Sequence, residues 1–378
     1  MIVSCMIFLA VSVNSSYLFT PQPKSIAKGL IENSGVFEME KASTVDTFSL
    51  TDVLQSSKQD NYNRLKYEIP RTTLISMRSN EMNRVKQDLV KMNPVVSDQE
   101  TILTFAKMSS NAYVVRTMQR WRSLPSYEDD IDDFGWDSDG LRGYIFTNST
   151  KSVVIIAFKG TSTLLNKSPT AGKDKLMDNL MFSCCCGKVD RSWSAVCGCY
   201  TGGFLTGARQ CDKNCLEAEA RQEDTYFVQA KGIYEQALNE YPNATFWFTG
   251  HSLGGALAAI LASTVPGSSA VTFASPGELM YLQRLGFEQT DRVWNFGHNL
   301  DPIYMGTCRG ITSPCYLSGY AMESHCRQGN DCMYSLEGNQ DISSHRIDWM
   351  IDKVISVEAL PSCTKVKDCR DCEEWTFV

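Results

Sequence analysis

The chain has 378 residues, 43% hydrophobic and 21% charged, which is a globular composition on a chain long enough to bury a large core. Its formal net charge of −7 provides no basic footprint, so a nucleic-acid partner is excluded on electrostatic grounds. The same charge argues against purely ionic docking on anionic lipid and leaves hydrophobic or tethered contact as the route to a membrane.

Ile2 to Val13 is an apolar run at the extreme N-terminus. It is shorter than the about 20 residues that span a bilayer and fits a signal-peptide core, with Ala10-Val11-Ser12 as a cleavage site. No Lys or Arg precedes the core, so residues 1–13 read equally as a cleaved signal or a short anchor. Sequons at Asn14, Asn148, Asn166 and Asn243 agree with passage through the secretory pathway. Residues 14–94 are polar without a clear period and read as an irregular lumenal segment. Ser97 to Val115 predicts a helix opened by a cap at Ser97-Asp98-Gln99-Glu100. The acidic stretch Glu128 to Asp139 lacks the alternating ligands of a calcium loop and reads as solvated.

Ser152 to Phe158 is a continuous β-branched apolar run, the mark of a strand covered on both faces. Fifteen cysteines occur in the chain, fourteen once Cys5 in the apolar leader is set aside, an even number that suits disulfides in an oxidising lumen. Zinc is the competing reading, since Cys197-Gly198-Cys199 and Cys369-Arg370-Asp371-Cys372 are closely spaced, but no His lies at finger-like distance. Seven of the cysteines fall between Cys184 and Cys215, a disulfide-pinned insertion. Phe227, Ala230, Tyr234, Leu238 and Tyr241 recur at helical spacing as core positions. Strands follow at Thr245–Thr249, Ala270–Ala274 and Arg292–Phe296, a rhythm that predicts an α/β fold with a mostly parallel sheet.

The strand at Thr245 runs into Gly250-His251-Ser252-Leu253-Gly254-Gly255 and then a small-residue helix, Ala256 to Ala262. That is the context a G-x-S-x-G nucleophile elbow needs: Ser252 sits on a sharp turn, and glycines let strand and helix approach closely. A serine hydroxyl needs a base, and a carboxylate to orient the base, in the order Ser, acid, His. The chain has four histidines. His251 adjoins the nucleophile, His298 precedes the acid, and His325 sits among cysteines; His345, just before an apolar-periodic helix, is the chosen base. Asp301, after the strand ending at Phe296, is the chosen acid, with Asp291 as fallback. The oxyanion hole calls for the N–H of Leu253 and one from the loop Gly160-Thr161-Ser162, with Thr161 also offering its hydroxyl.

These motifs resemble the fungal-type, class 3 lipases. Ala106-Lys107-Met108-Ser109-Ser110-Asn111-Ala112-Tyr113-Val114, the triple cysteine after Asn179-Leu180-Met181-Phe182-Ser183, and Asp301-Pro302-Ile303-Tyr304-Met305-Gly306-Thr307-Cys308 narrow the resemblance to the autophagy-related vacuolar lipases. Gly319-Tyr320-Ala321-Met322-Glu323-Ser324 and Ser344-His345-Arg346-Ile347 do the same. The resemblance covers residues 95–356 and leaves 357–378 as a cysteine-containing tail. It implies an α/β-hydrolase fold and a triad of Ser252, Asp301 and His345, with Thr161 and Leu253 at the oxyanion and no cofactor or metal. It also implies a phospholipase or acylglycerol lipase acting at membrane surfaces, reaching the vacuole through the endoplasmic reticulum and multivesicular bodies and dissolving autophagic vesicles. Members usually carry a full membrane anchor, longer than the run here.

The insertion Thr163 to Cys215 is a candidate lid, because Leu164, Leu165, Leu180, Met181, Phe182 and Trp193 are apolar in a loop-rich stretch; a disulfide-stapled surface loop is the alternative. Two other functions fit the sequence: a soluble carboxylesterase on small or carbohydrate-linked esters, and an inactive lipid-binding homologue. Oligomeric state has no signature in the sequence.

Overall fold

The structure, a computed structural model, describes residues 93–127, 131–162, 168–203 and 208–378. The signal or anchor at 1–13, nearly all of the segment 14–94, the sequons at Asn14 and Asn166, residues 128–130, and Leu164 and Leu165 lie outside the described residues.

Eight strands form one sheet: β1 Ile131–Phe134, β2 Gly143–Thr147, β3 Val153–Phe158, β4 Thr245–His251, β5 Ser269–Phe273, β6 Val293–His298, β7 Asn330–Tyr334 and β8 Thr364–Lys365. They lie side by side in chain order. Strands β3 to β7 are parallel, and β1, β2 and β8 join antiparallel at the edges. This is the mostly parallel sheet of an α/β-hydrolase, with antiparallel strands added at both edges.

The unbroken apolar run of β3 has a simple cause. Val154, Ile156 and Phe158 point into one core and Ile155 and Ala157 into another, because successive side chains leave a strand on opposite faces. Helix α1, Gln99–Asn111, covers the second face with Ile102, Phe105 and Met108, and Asp98 caps it by accepting from the Thr101 N–H at 2.8 Å. The first face is covered by α2 Ala171–Met181, α3 Lys213–Glu219, α4 Tyr226–Glu240 and α5 Leu253–Thr264. Every residue of α5 from Leu253 to Ala262 is buried, so its polar face is absent by design of position.

Two sequence expectations differ from what forms, and two strands went unremarked. Part of the acidic stretch is strand β1: Asp132 and Asp133 are exposed on an edge strand, where the backbone pairs with β2 and the carboxylates stay in water. Leu180, Met181 and Phe182, expected on a lid, are buried in the core below α2 and the turn after it. Strands β2 and β7 carry no period-2 signal strong enough to single them out in the sequence, since neighbours on both sides decide their burial.

All fourteen cysteines among the described residues are disulfide-bonded, which removes the zinc reading: Cys197 and Cys199 bond Cys186 and Cys215, and Cys369 and Cys372 bond Cys326 and Cys184. Cys185–Cys211 completes the staples of the insertion, and Cys308–Cys315 closes a short loop after Asp301. Residues 363–378 are tied to the body by Cys332–Cys363, Cys326–Cys369 and Cys184–Cys372. Thr376–Phe377 also pairs in parallel with Gln210–Cys211. Among the described residues no helix is long and apolar enough to cross a membrane.

Opening the Cys184–Cys372 bridge releases the last strap of this tail. A Cys184→Ser/Cys372→Ser variant is expected to lose about 2–4 kcal/mol, a Tm decrease of roughly 5–15 °C by scanning calorimetry.

Candidate active site

Ser252 lies between β4 and α5 at φ 57° and ψ −128°, a left-handed backbone unusual for a residue with a Cβ. Its N–H donates to the Phe273 carbonyl at 3.0 Å, and its own carbonyl accepts from Gly255 and Ala256 at 2.9 and 3.1 Å, which holds the turn. The surroundings leave no slack. A Cβ on Gly254 would lie 2.2 Å from the Phe158 carbonyl oxygen, and one on Gly160 would lie 2.2 Å from both the His251 carbonyl oxygen and the Tyr113 hydroxyl. Glycine at these two positions lets the elbow press against the end of β3.

The structure brings Ser252, His345 and Asp301 into one hydrogen-bonded line. His345 Nε2 is 2.9 Å from Ser252 Oγ, and His345 Nδ1 is 2.8 Å from Asp301 Oδ2. Since the carboxylate only accepts, Nδ1 carries the proton and Nε2 is left as the acceptor for the serine hydroxyl. Asp301 is fully buried, and its other oxygen accepts from the Ile303 N–H at 2.9 Å. Burial opposes its charge, but His345, the Ile303 N–H and His298 together outweigh that and hold the carboxyl below its ordinary range. Asp291, the fallback acid, stands elsewhere on the surface in an ion pair with Lys365 at 2.7 Å. His325 is likewise apart, 2.7 Å from Asp371.

His345 ends the turn Ile342–His345, and other histidines hold that turn. His251 Nε2 lies 2.6 Å from the His345 carbonyl oxygen, and His298 Nε2 lies 3.1 Å from the Ser344 carbonyl oxygen. A carbonyl cannot donate, so both Nε2 atoms are protonated. Burial drives the His251 pKa down to about 3, with the neighbouring His345 adding to the effect, so the ring is neutral and its Nδ1 accepts from Tyr113 OH at 2.8 Å. His298 is also pushed down by burial. The Ser344 hydroxyl ties the same turn to the Leu300 carbonyl at 3.1 Å, beside Asp301.

Thr161 and Leu253 sit on adjacent strand ends. β3 and β4 are parallel with Phe158 opposite Gly250, Thr161 follows β3, and Leu253 opens α5 with no carbonyl four residues back in the helix to receive its N–H. The Thr161 hydroxyl is engaged: it donates to Asp178 Oδ2 at 2.7 Å, which leaves the backbone N–H as this residue's offering. Asp178 is fully buried, and burial lifts its pKa well above the ordinary range. Next to it Asp174 accepts from Lys159 Nζ, the Ser162 N–H and Thr170 Oγ1, each at 2.8 Å, and from Tyr226. Lys159 in turn donates to the Gly160 carbonyl at 2.7 Å, so a buried ion pair supports the Gly160-Thr161 loop from below. Burial lowers the Lys159 pKa against the pull of Asp174.

Sequence reading weighed His251 and His298 only as bases and set them aside, His251 as structural, and it gave no role to Tyr113, Lys159, Asp174 and Asp178. Only the lysine beside Gly160 and the histidine beside Ser252 had a local signal; the others come from distant segments.

A two-sided parallel sheet with a serine elbow at the C-terminal edge, facing an aspartate and a histidine in that order, defines an α/β-hydrolase. Residues 155–303 match the model of the family described as Lipase (class 3). The chain is 41% identical over 313 residues to a protein of Saccharomyces cerevisiae named putative lipase ATG15, a match covering 78% of this chain and 59% of that protein. The Candida glabrata protein of that name is 43% identical over 305 residues, covering 75% of this chain and 59% of its own. Part of the chain is thus similar to class 3 lipases and most of it to the ATG15 proteins, and the match spans little more than half the length of these curated relatives. The solved Lip2 lipase of Yarrowia lipolytica is 16% identical with a TM-score of 0.34, over 62% of this chain and 79% of that one.

His251 gives two measurable consequences. Its pKa is about 3 in the folded chain, against about 6.5 unfolded, so the unfolded state binds the extra proton between those values and stability falls as the pH drops through that window. His251→Gln removes this titration, and the pH slope of the unfolding free energy below 6.5 is expected to flatten by up to about 1.4 kcal/mol per pH unit. His251→Leu also removes the donor to the His345 carbonyl and is expected to slow hydrolysis of a soluble p-nitrophenyl ester by about 10- to 100-fold.

Proposed function

We propose that this chain is the catalytic part of a serine lipase that hydrolyses acyl esters of membrane lipids. The observation that carries the reading is the unbroken line from Ser252 through His345 to the buried Asp301. In this reading His345 Nε2 takes the proton of Ser252 as Oγ attacks the ester carbonyl, and Asp301 stabilises the imidazolium. The N–H groups of Thr161 and Leu253 bind the oxyanion at the start of α5, where the helix dipole adds a positive field. Collapse of the tetrahedral intermediate breaks the bond to the alcohol, which takes the proton from His345. Water then enters, gives its proton to the same nitrogen and releases the fatty acid.

The compartment is the vacuole or lysosome lumen, reached through the secretory pathway. Supporting this are the fourteen cysteines among the described residues, all disulfide-bonded, which a reducing cytosol does not sustain, and the name ATG15 of the relatives, which ties those proteins to autophagy. The substrates proposed are the lipids of autophagic and multivesicular-body vesicles, phospholipids among them.

Ser252→Ala is expected to abolish fatty-acid release from phospholipid vesicles, followed by mass analysis, while leaving Tm within a degree or two of the parent. Retained hydrolysis in that variant overturns the assignment. Asp301→Asn keeps the shape but lets the histidine adopt the wrong tautomer, and kcat is expected to fall by about 10⁴-fold, on the scale that substitution has in a serine protease triad.

A further inference from the structure

Ile311 and Leu317 are the most exposed large apolar side chains among the described residues, at 70% and 74%. Scattered exposed apolar residues are ordinary, but Ile311 lies within the segment that the Cys308–Cys315 disulfide closes and Leu317 lies two residues past it. Ser313 caps the turn of helix at Pro314–Leu317 by accepting from the Tyr316 N–H at 3.1 Å. The loop is therefore already ordered in the shape it presents, which removes much of the entropy cost of pressing it against a partner.

Its neighbours have the chemistry of a membrane interface. Tyr316 packs on Trp193 with ring centroids 4.9 Å apart, and its hydroxyl bonds Asp190. Paired aromatics with one wet end are the side chains that settle at the headgroup level of bilayers. Lys188 reaches the carbonyls of Arg191 and Trp193, and Lys175 donates to the Ser318 carbonyl at 2.8 Å beside Tyr320. Segments 186–193 and 308–320 hold the cations Lys188, Arg191 and Arg309 and a single carboxylate, Asp190, with Lys175 adding a fourth positive charge. The overall charge of −7 thus hides a local cationic face, and the expectation that charge works against anionic lipid does not apply there.

The patch adjoins the candidate active site on two sides. Cys308 follows Asp301 closely, and the N–H groups of Thr307 and Cys308 bond the Pro302 carbonyl at 2.8 and 2.9 Å. Helix α2 holds Thr161 through Asp178 and the patch through Lys175 and Asn179, whose side chain donates to the Gly319 carbonyl at 3.1 Å.

We propose that the Cys308–Cys315 loop, with Leu317 and the Trp193–Tyr316 pair beside it, docks the protein on a bilayer that carries anionic headgroups. The proposal rests on the lipase reading and names the surface by which that site meets its substrate. Ile311 and Leu317 enter the acyl boundary, the two aromatic rings sit at headgroup level, and Arg309, Lys175, Lys188 and Arg191 face the phosphates.

The test is flotation of the Ser252→Ala protein, which leaves the lipid intact, with phosphatidylcholine vesicles with and without phosphatidylserine. The protein is expected to float with the phosphatidylserine vesicles, and Ile311→Ser/Leu317→Ser is expected to weaken that binding at least tenfold. Arg309→Glu is expected to weaken binding and to flatten its salt dependence. Val95→Ser/Val357→Ser, which removes two apolar side chains exposed to 61% and 68%, is expected to bind like the parent. Calorimetry on each variant checks that the fold survives. A parent that stays with the unbound fraction, or an Ile311→Ser/Leu317→Ser protein that floats as well as the parent, overturns the proposal. Lipid hydrolysis by the Ser252-intact protein is scored separately, so its failure would sink the lipase reading while the flotation result still decides the docking surface.

Discussion

The first turn of α5 lies against the end of β3 without space for one added carbon, and the site is arranged around that contact. A Cβ on Gly254 would meet the Phe158 carbonyl, and one on Gly160 both the His251 carbonyl and the Tyr113 hydroxyl. Pressed together in this way, the elbow and the Gly160-Thr161 loop follow neighbouring parallel strands. The left-handed backbone at Ser252 is a local cost of the arrangement. Burial of the whole first part of α5 and the carbonyl bonds around Ser252 offset it.

Beneath that contact the polar groups are buried and almost all paired, which makes the site stiff. Two histidines that take no part in the serine line grip the backbone of the one that does. Both are held neutral by burial, so each keeps one donor for a carbonyl. On the other side the Lys159–Asp174 pair and Asp178 hold the loop of Thr161. Removing one member of such a buried pair leaves an uncompensated charge, so these residues are coupled to the site through its stability as much as through its geometry.

The disulfides act mostly outside this network. They pin the insertion between Cys184 and Cys215 and the last residues of the chain to the body. Just before these staples, Leu180, Met181 and Phe182, expected on a lid, are buried in the core on the face that α2 covers. The most exposed large apolar side chains among the described residues are instead Ile311 and Leu317, which the sequence pattern did not single out.

Several features were legible in the linear chain because the physics behind them is local. A continuous apolar run marks a strand buried on two faces, glycines flanking a serine mark a tight strand-to-helix turn, and an even cysteine count marks disulfide pairing. The choice of His345 and Asp301 also came from order and local context, and the structure places both in line with Ser252. What the chain alone could not disclose were contacts between segments far apart: Tyr113 on His251 across 138 positions, His251 on the His345 carbonyl across 94, and Tyr226 on Asp174 across 52. Whether a histidine is a base or a brace depends on which group faces each ring nitrogen. The pairing of fourteen cysteines and the neutral state of His251 are likewise set by proximity and burial. Those quantities exist only once the sheet has formed and water has left its edge, so tertiary structure decided them.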